Sequence, residues 1–186
     1  MKRLSDPIKI CFVLGFLFIV FYGCGGKASR LFEEESGASR TRIPDYIIHD
    51  VTHYYYVDGI KKTKIIFDKG DYYSDEEKLY VENCSFIYYD IDGEINSRGR
   101  SERATVLNNG SIILAEENVV ITSETNGAVL ETEYLEWHGE QEQFITDRFV
   151  TITRTNGDTI SGIGLLSDVA LRFVTIHKNV KGSFEE

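Results

Sequence analysis

From Asn118 to Gly182 the chain alternates apolar and polar residues in short runs, and glycine dipeptides break the pattern at intervals. Val119-Val120-Ile121-Thr122 and Phe149-Val150-Thr151-Ile152-Thr153-Arg154 are two such runs, and breaks fall at Asn126-Gly127, His138-Gly139 and Asn156-Gly157. A period of two puts apolar side chains on one face of an extended backbone and polar ones on the other, so each run reads as a half-buried strand. Asn-Gly supplies the two positive-φ positions that the tightest hairpin turn requires. This half of the chain reads as an antiparallel meander without a catalytic loop.

The pattern continues upstream to Ile43. Asp45–Val51 and Tyr54–Val57 lead to a turn at Asp58-Gly59, and the weaker alternation of Lys62–Asp68 leads to a turn at Lys69-Gly70. Ser74-Asp75-Glu76-Glu77 has the residue types that cap one helical turn, but no helical period follows. Leu79–Ile91 reads as a strand pair closing at Asp92-Gly93. Glycine turns then fall at Gly93, Gly110, Gly127, Gly139 and Gly157, spaced by 17, 17, 12 and 18 residues. A gap of 17 holds two ordinary strands, or one long strand that bends from one layer into another. That is the rhythm of a sandwich or jelly roll, and the segments lack the self-similarity of a repeat array. Two prolines, eleven Tyr and eleven Phe also favour β structure. The expectation is one all-β domain over residues 43–182, with a short tail at 183–186.

The residues before it read as an address. A basic stretch from Met1 to Lys9 precedes thirteen uncharged residues, Ile10 to Tyr22, and then Gly23-Cys24-Gly25-Gly26. Thirteen residues rise only about 20 Å as a helix, short of a hydrocarbon core of about 30 Å. That length suits a secretory signal better than a spanning helix. Phe21-Tyr22-Gly23-Cys24 resembles a bacterial lipobox, which makes residues 1–23 the signal and Cys24 the acylated first residue of the mature chain. The alternative is an uncleaved short anchor. Either outcome leaves the rest of the chain on a membrane, outside the cytoplasm, with residues 24–42 as a polar tether.

At 186 residues and 42% hydrophobic content the chain can bury a real core. Its formal charge is −10, and removing residues 1–23, with three cations and one anion, leaves −12. A surface that acidic repels nucleic acid. With Cys11 and Cys24 in the N-terminal segment, Cys84 has no partner for an internal disulfide and reads as a buried small hydrophobe.

The usual signatures of chemistry are missing. His49 and His53 sit four apart in a strand-like segment, which separates them by about 13 Å instead of stacking them as metal ligands. Asp75-Glu76-Glu77 and Glu116-Glu117 are neighbours on turns, whereas acid–base work needs carboxyls facing each other across a cleft. Gly162-Ile163-Gly164 lacks the third glycine and following helix of a dinucleotide loop, and Gly162 and Gly164 read instead as sites of close backbone approach. No serine sits in a nucleophile elbow. The sequence points to no catalytic residue, no metal ligand and no cofactor, but to a domain that binds.

One ordered set of motifs resembles a known family. Leu130-Glu131-Thr132-Glu133-Tyr134-Leu135-Glu136-Trp137 is followed by Phe149–Arg154, by Gly157-Asp158-Thr159-Ile160-Ser161-Gly162-Ile163-Gly164, and by Val174–Gly182. In this order and near these spacings they resemble the lipopolysaccharide-export family LptC. The resemblance implies a membrane anchor and a twisted, open β jelly roll at the periplasmic face of the inner membrane. It also implies partners: the LptB–LptF–LptG ABC transporter as donor of lipopolysaccharide or lipooligosaccharide, and an LptA-like periplasmic protein as acceptor.

In an open pair of layers the inward residues form an apolar slot for acyl tails, with the head group outside. Period two assigns Val150 and Ile152 to that slot on one strand, and Val174, Ile176 and Val180 on the last. Val106, Ile113, Leu130 and Ile160 complete the expected lining. Edge-to-edge strand pairing would align slots between proteins. The expected acceptor edge is the final strand, Leu171–Val180, with Leu171, Phe173, Thr175 and His177 facing the partner. The opening strand, near Tyr46–Val51, is the expected edge toward the transporter. The same residues are equally compatible with a closed sandwich, a protein-binding module of an envelope lipoprotein, because periodicity does not distinguish a filled interior from an opened one.

Overall fold

The computed structural model describes residues 42–184. They form nine strands: β1 (Tyr46–Val57), β2 (Ile60–Tyr73), β3 (Lys78–Tyr89), β4 (Ile95–Leu107), β5 (Ile112–Ser123), β6 (Val129–His138), β7 (Gln143–Thr153), β8 (Thr159–Asp168) and β9 (Val174–Ser183). All pair antiparallel with their sequence neighbours in one sheet of order β1 to β9. Only a single 3₁₀ turn, Asn108–Gly110, interrupts the strands among the described residues. β1 and β9 do not pair with each other, so the sheet is open and has two free edges.

Short-range chemistry fixes the hairpins. Asp58 and Gly59 both have positive φ, 50° and 78°, which matches the right-handed twist of β1 and β2. The carboxylate of Asp90 accepts the N–H groups of Asp92 and Glu94, closing the β3–β4 turn. Asp168 does the same after β8, accepting from the N–H groups of Arg172 and Phe173.

Most strands run well past ordinary length and bend near their middles. The register slips between Arg100 and Arg103, Glu116 and Val119, Thr132 and Glu136, Thr146 and Phe149, and Ser161 and Ile163. Non-glycine residues with positive φ fall within these slips, at Glu117, Asn118 and Asn179, and mark further bends at Asp50 and Asn83. A bulge turns the strand and increases its twist, and these align into a polar corner across the sheet. β3 shows the consequence: Val81 is buried before the bend, and Cys84, Phe86 and Tyr88 are buried after it, on the opposite parity.

The bends fold the sheet over on itself. Trp137 of β6 packs its ring on Tyr55 of β1 at 5.9 Å and on Tyr88 of β3 at 4.9 Å. In a flat sheet β1 and β6 would stand about 24 Å apart, five strand spacings. Only a sheet doubled over brings their inner faces together. Ser123 Oγ of β5 likewise donates to Ala170 O, beyond β8, at 2.7 Å.

Two expected boundaries differ. Lys69-Gly70 lies inside β2 and is no turn: a Cβ on Gly70 would meet the Phe67 ring at 2.8 Å and Leu79 at 2.9 Å, so this glycine makes room for core side chains. Leu79–Ile91 is one bent strand and its following turn, not a pair. The anchor, the tether up to residue 41 and Cys24 lie outside the described residues. No helix among the described residues is long and apolar enough to cross a membrane.

Candidate functional site

The interior of the folded sheet has a packed middle and two mouths. The middle holds Ile113, Leu130 and Val150, at 1%, 0% and 0% exposure, together with Phe144 and the rings of Tyr88 and Trp137. These three aliphatic residues, expected in an open slot, line neither mouth; they are held in a core where each side chain is enclosed by its neighbours. Bulges and aromatic rings, which a count of alternate positions does not register, bring the layers together there.

The first mouth, a cavity of about 400 Å³, opens beside β1. Its apolar wall is Ile48, Val51, Ile65, Phe67, Leu79 and Val106, and His53, Glu77, Asn108 and Asn109 add polar groups. Of the expected slot residues only Val106 reaches it. The second mouth, about 660 Å³, lies at the β9 end. Here five expected residues converge: Ile152, Ile160, Val174, Ile176 and Val180. Arg154 and Arg172 share the lining with Asn126, Thr155 and Asn156, so the hollow is part apolar and part polar, and the Arg172 guanidinium is also ion-paired with Asp168 at 2.9 Å. An amphiphile with an acidic head fits that chemistry: tails gain by leaving water, and the head meets cations.

The two mouths therefore sit at the two free edges. β9 is exposed along nearly its whole length, with Ile176 its one half-buried residue. Gly162 lets it lie close: a Cβ there would meet Ile176 Cγ2 at 2.5 Å and Lys178 O at 2.7 Å. Gly164, at φ +77°, faces the His177 ring, 2.9 Å from where a Cβ would stand. Thr175 and His177 lie on β9 and are exposed, and Phe173 precedes the strand at 76% exposure. Leu171 is different. It sits in the β8–β9 turn at φ 52°, is 4% exposed, and closes the base of the second mouth, so its side chain does not face the edge. Its burial follows from the Asp168 turn, which folds the loop inward.

No group of three or more potential metal-ligating side chains occurs among the described residues. Cys84 is enclosed, and burial pushes its thiol up to about 12, so it stays protonated at neutral pH. Nothing in the sequence pattern marks the first mouth, because β1 and β2 alternate weakly and the inward residues of β1 change parity at Asp50. Arg154 ends a recognised strand motif but alternation alone gives neither it nor Arg172 a role at the mouth; cations flanking a slot are the available signal.

Comparison with known proteins agrees with this architecture. A solved structure of LptH from Pseudomonas aeruginosa, described as the LptA-homologous periplasmic component of the conserved lipopolysaccharide transport device, is similar in fold. It aligns at a TM-score of 0.53 and 8% identity, covering 67% of this chain and 95% of that one. No curated protein sequence matches the chain. The sequence profile of the LptC family, described as lipopolysaccharide-assembly, LptC-related, matches residues 11–185. With an open, nine-stranded, all-β fold and a match over nearly its whole length, this chain belongs to the LptC family of lipopolysaccharide-assembly proteins.

Proposed function

We propose that this protein is the membrane-tethered relay of a lipopolysaccharide or lipooligosaccharide bridge, held at the periplasmic face of the inner membrane by lipid on Cys24 or by a short helix. It accepts lipid from an LptB–LptF–LptG-type ABC transporter at the β1 edge and passes it to an LptA-like protein at the β9 edge. The observation that carries this reading is the placement of a mouth lined by apolar side chains at each free edge, the second of mixed polarity and also lined by Arg154 and Arg172. A strand added to an edge by main-chain pairing would set the partner's slot beside the mouth. The relay needs no catalytic group, because transfer between like environments requires alignment and not bond chemistry.

A second reading is favoured by the packed middle, where Ile113, Leu130 and Val150 are fully enclosed: a closed sandwich that binds protein and no lipid. Reconstitution separates the two. Proteoliposomes holding the transporter, the full chain and lipopolysaccharide should load a soluble LptA-like acceptor when ATP is added, and should not when the chain is omitted. Equal loading without the chain rejects the relay.

A further inference from the structure

Among the described residues six buried side-chain polar atoms lack a hydrogen-bond partner; Asp71 Oδ1 lies apart, and the other five are Thr63 Oγ1, Tyr88 OH, Ser97 Oγ, Ser101 Oγ and Trp137 Nε1. All five residues are buried, none more than 6% exposed. Four of them form one neighbourhood, with Ser101 four residues further along β4. Thr63 stands opposite Tyr88 across β2 and β3, and Tyr88 stands opposite Ser97 across β3 and β4. Ser101 follows on the same inner face of β4, and the Trp137 ring closes over Tyr88 from the other layer.

This neighbourhood lies directly behind the first mouth. Ile65 and His53 line that cavity, and two residues further along the same strands come Thr63 and Tyr55. Tyr55 pairs with Thr63 across β1 and β2 and sets its ring edge against Trp137. It is half-buried and belongs to a free edge strand, so it is the side chain best placed to swing aside.

A core that only had to be filled would not hold these groups. Each buried donor without a partner is unfavourable, whereas Phe for Tyr88 or Ala for Ser97 would remove the unpaired atom and keep the shape. The pattern suits a guest that is mostly hydrocarbon but carries oxygen at intervals. We propose that these residues form a polar waist that hydrogen-bonds hydroxyl or ester oxygens on the acyl chains of a lipid drawn in from the first mouth. The proposal rests on the lipid-carrying function above and adds a selectivity to it. A chain with such oxygens satisfies the Tyr88 O–H and Trp137 N–H; a plain hydrocarbon chain leaves them unpaired.

Trp137 is the protein's only tryptophan, so its emission reports on the waist directly. Full-length protein in nanodiscs is titrated with 3-hydroxypalmitate and with palmitate, in wild type and in Tyr88→Phe, with thermal unfolding as the check on folding. Taking the wild-type to variant ratio for each probe cancels differences in partitioning into the disc. The expected ratio is about fivefold or more for the hydroxylated chain, as for one lost hydrogen bond, and about one for palmitate. Ser97→Ala is read alongside and shifts the same ratio in the same direction. Equal ratios for the two probes overturn the waist, as does Trp137 emission that answers neither. A photo-crosslinker at Ile152 is exposed to lipopolysaccharide in the same discs: adducts beside a silent Trp137 reject the waist alone, and absence of adducts rejects the lipid-carrying reading itself.

Discussion

Gly162→Ala should loosen the β9 edge while leaving the core intact. The ideal Cβ at this position falls 2.7 Å from Lys178 O and 2.5 Å from Ile176 Cγ2. Ile176 can rotate away, but the carbonyl is backbone, so β9 itself has to withdraw by roughly 0.5–1 Å to reach an ordinary contact. Overpacking of this kind costs about 1–3 kcal/mol. β9 has little to resist it, with one half-buried side chain and a ladder to β8 that already slips between Ser161 and Ile163. The strain therefore falls on local opening of the edge and not on global unfolding. At 25 °C it converts to about 5- to 150-fold faster opening. Hydrogen exchange on the full-length chain reads this out peptide by peptide: residues 174–183 should exchange faster by that factor, while β5, with Ile113, Val119 and Ile121 buried, should not change. Unchanged exchange in β9, or equal acceleration in β5, refutes the reasoning.

Gly99→Ala tests the inner layer, because a Cβ there would stand 1.9 Å from Phe86 Cε2. It should lower the denaturant midpoint by an amount equal to about 1–3 kcal/mol, and Phe86→Leu in the same chain should recover part of that; additive losses would place the ring elsewhere. Glu136 accepts hydrogen bonds from Tyr134 and His138, and chiefly the bond to His138 holds its carboxyl below the usual range. A lowered folded pKa contributes stability above the ordinary glutamate value that is lost as pH falls through the folded one. The advantage of wild type over Glu136→Gln should thus shrink as pH falls through and below the ordinary glutamate value of about 4.3, and a gap constant with pH would contradict it. Cys84, buried and with its thiol pushed up to about 12, should resist alkylation at neutral pH until the chain is unfolded, as read by peptide mass; rapid native labelling would contradict the packing of β3.

Most hairpin positions were legible in the sequence, because they depend on local chemistry; Lys69-Gly70, a glycine inside β2, is the exception. Asp58-Gly59 and the alternation around Val150 and Ile152 each specify backbone within a few residues; at Asn126-Gly127 and Asn156-Gly157 a turn falls where expected, but only the glycine takes positive φ, so neither is the two-positive-φ turn that Asn-Gly suggests. What each strand does at its middle was not legible. Whether a 17-residue interval holds two strands or one bent strand depends on a bulge, and bulges at Glu116-Glu117-Asn118 or Thr132–Glu136 carry no local mark beyond polar residues inside an apolar run. Each bulge then resets which residues face inward. That is why Val150 and Ile152 point into the fold as alternation requires, and why the first mouth, built across the bend at Asp50, went unseen. Openness was the least legible property of all. The aromatic contacts of Tyr55, Tyr88 and Trp137 join strands far apart in sequence, and they decide where the layers touch.

The proposed lipid path along the inside of the folded sheet is tested most directly by site-specific photo-crosslinking in cells. A crosslinker at Ile152 or Ile176, both lining the second mouth, should yield lipopolysaccharide or lipooligosaccharide adducts, whereas one at the exposed outer position Glu131, between buried Leu130 and Thr132, should yield none. Adducts at Glu131 equal to those at Ile152, or none above background at either mouth position, would contradict an interior path.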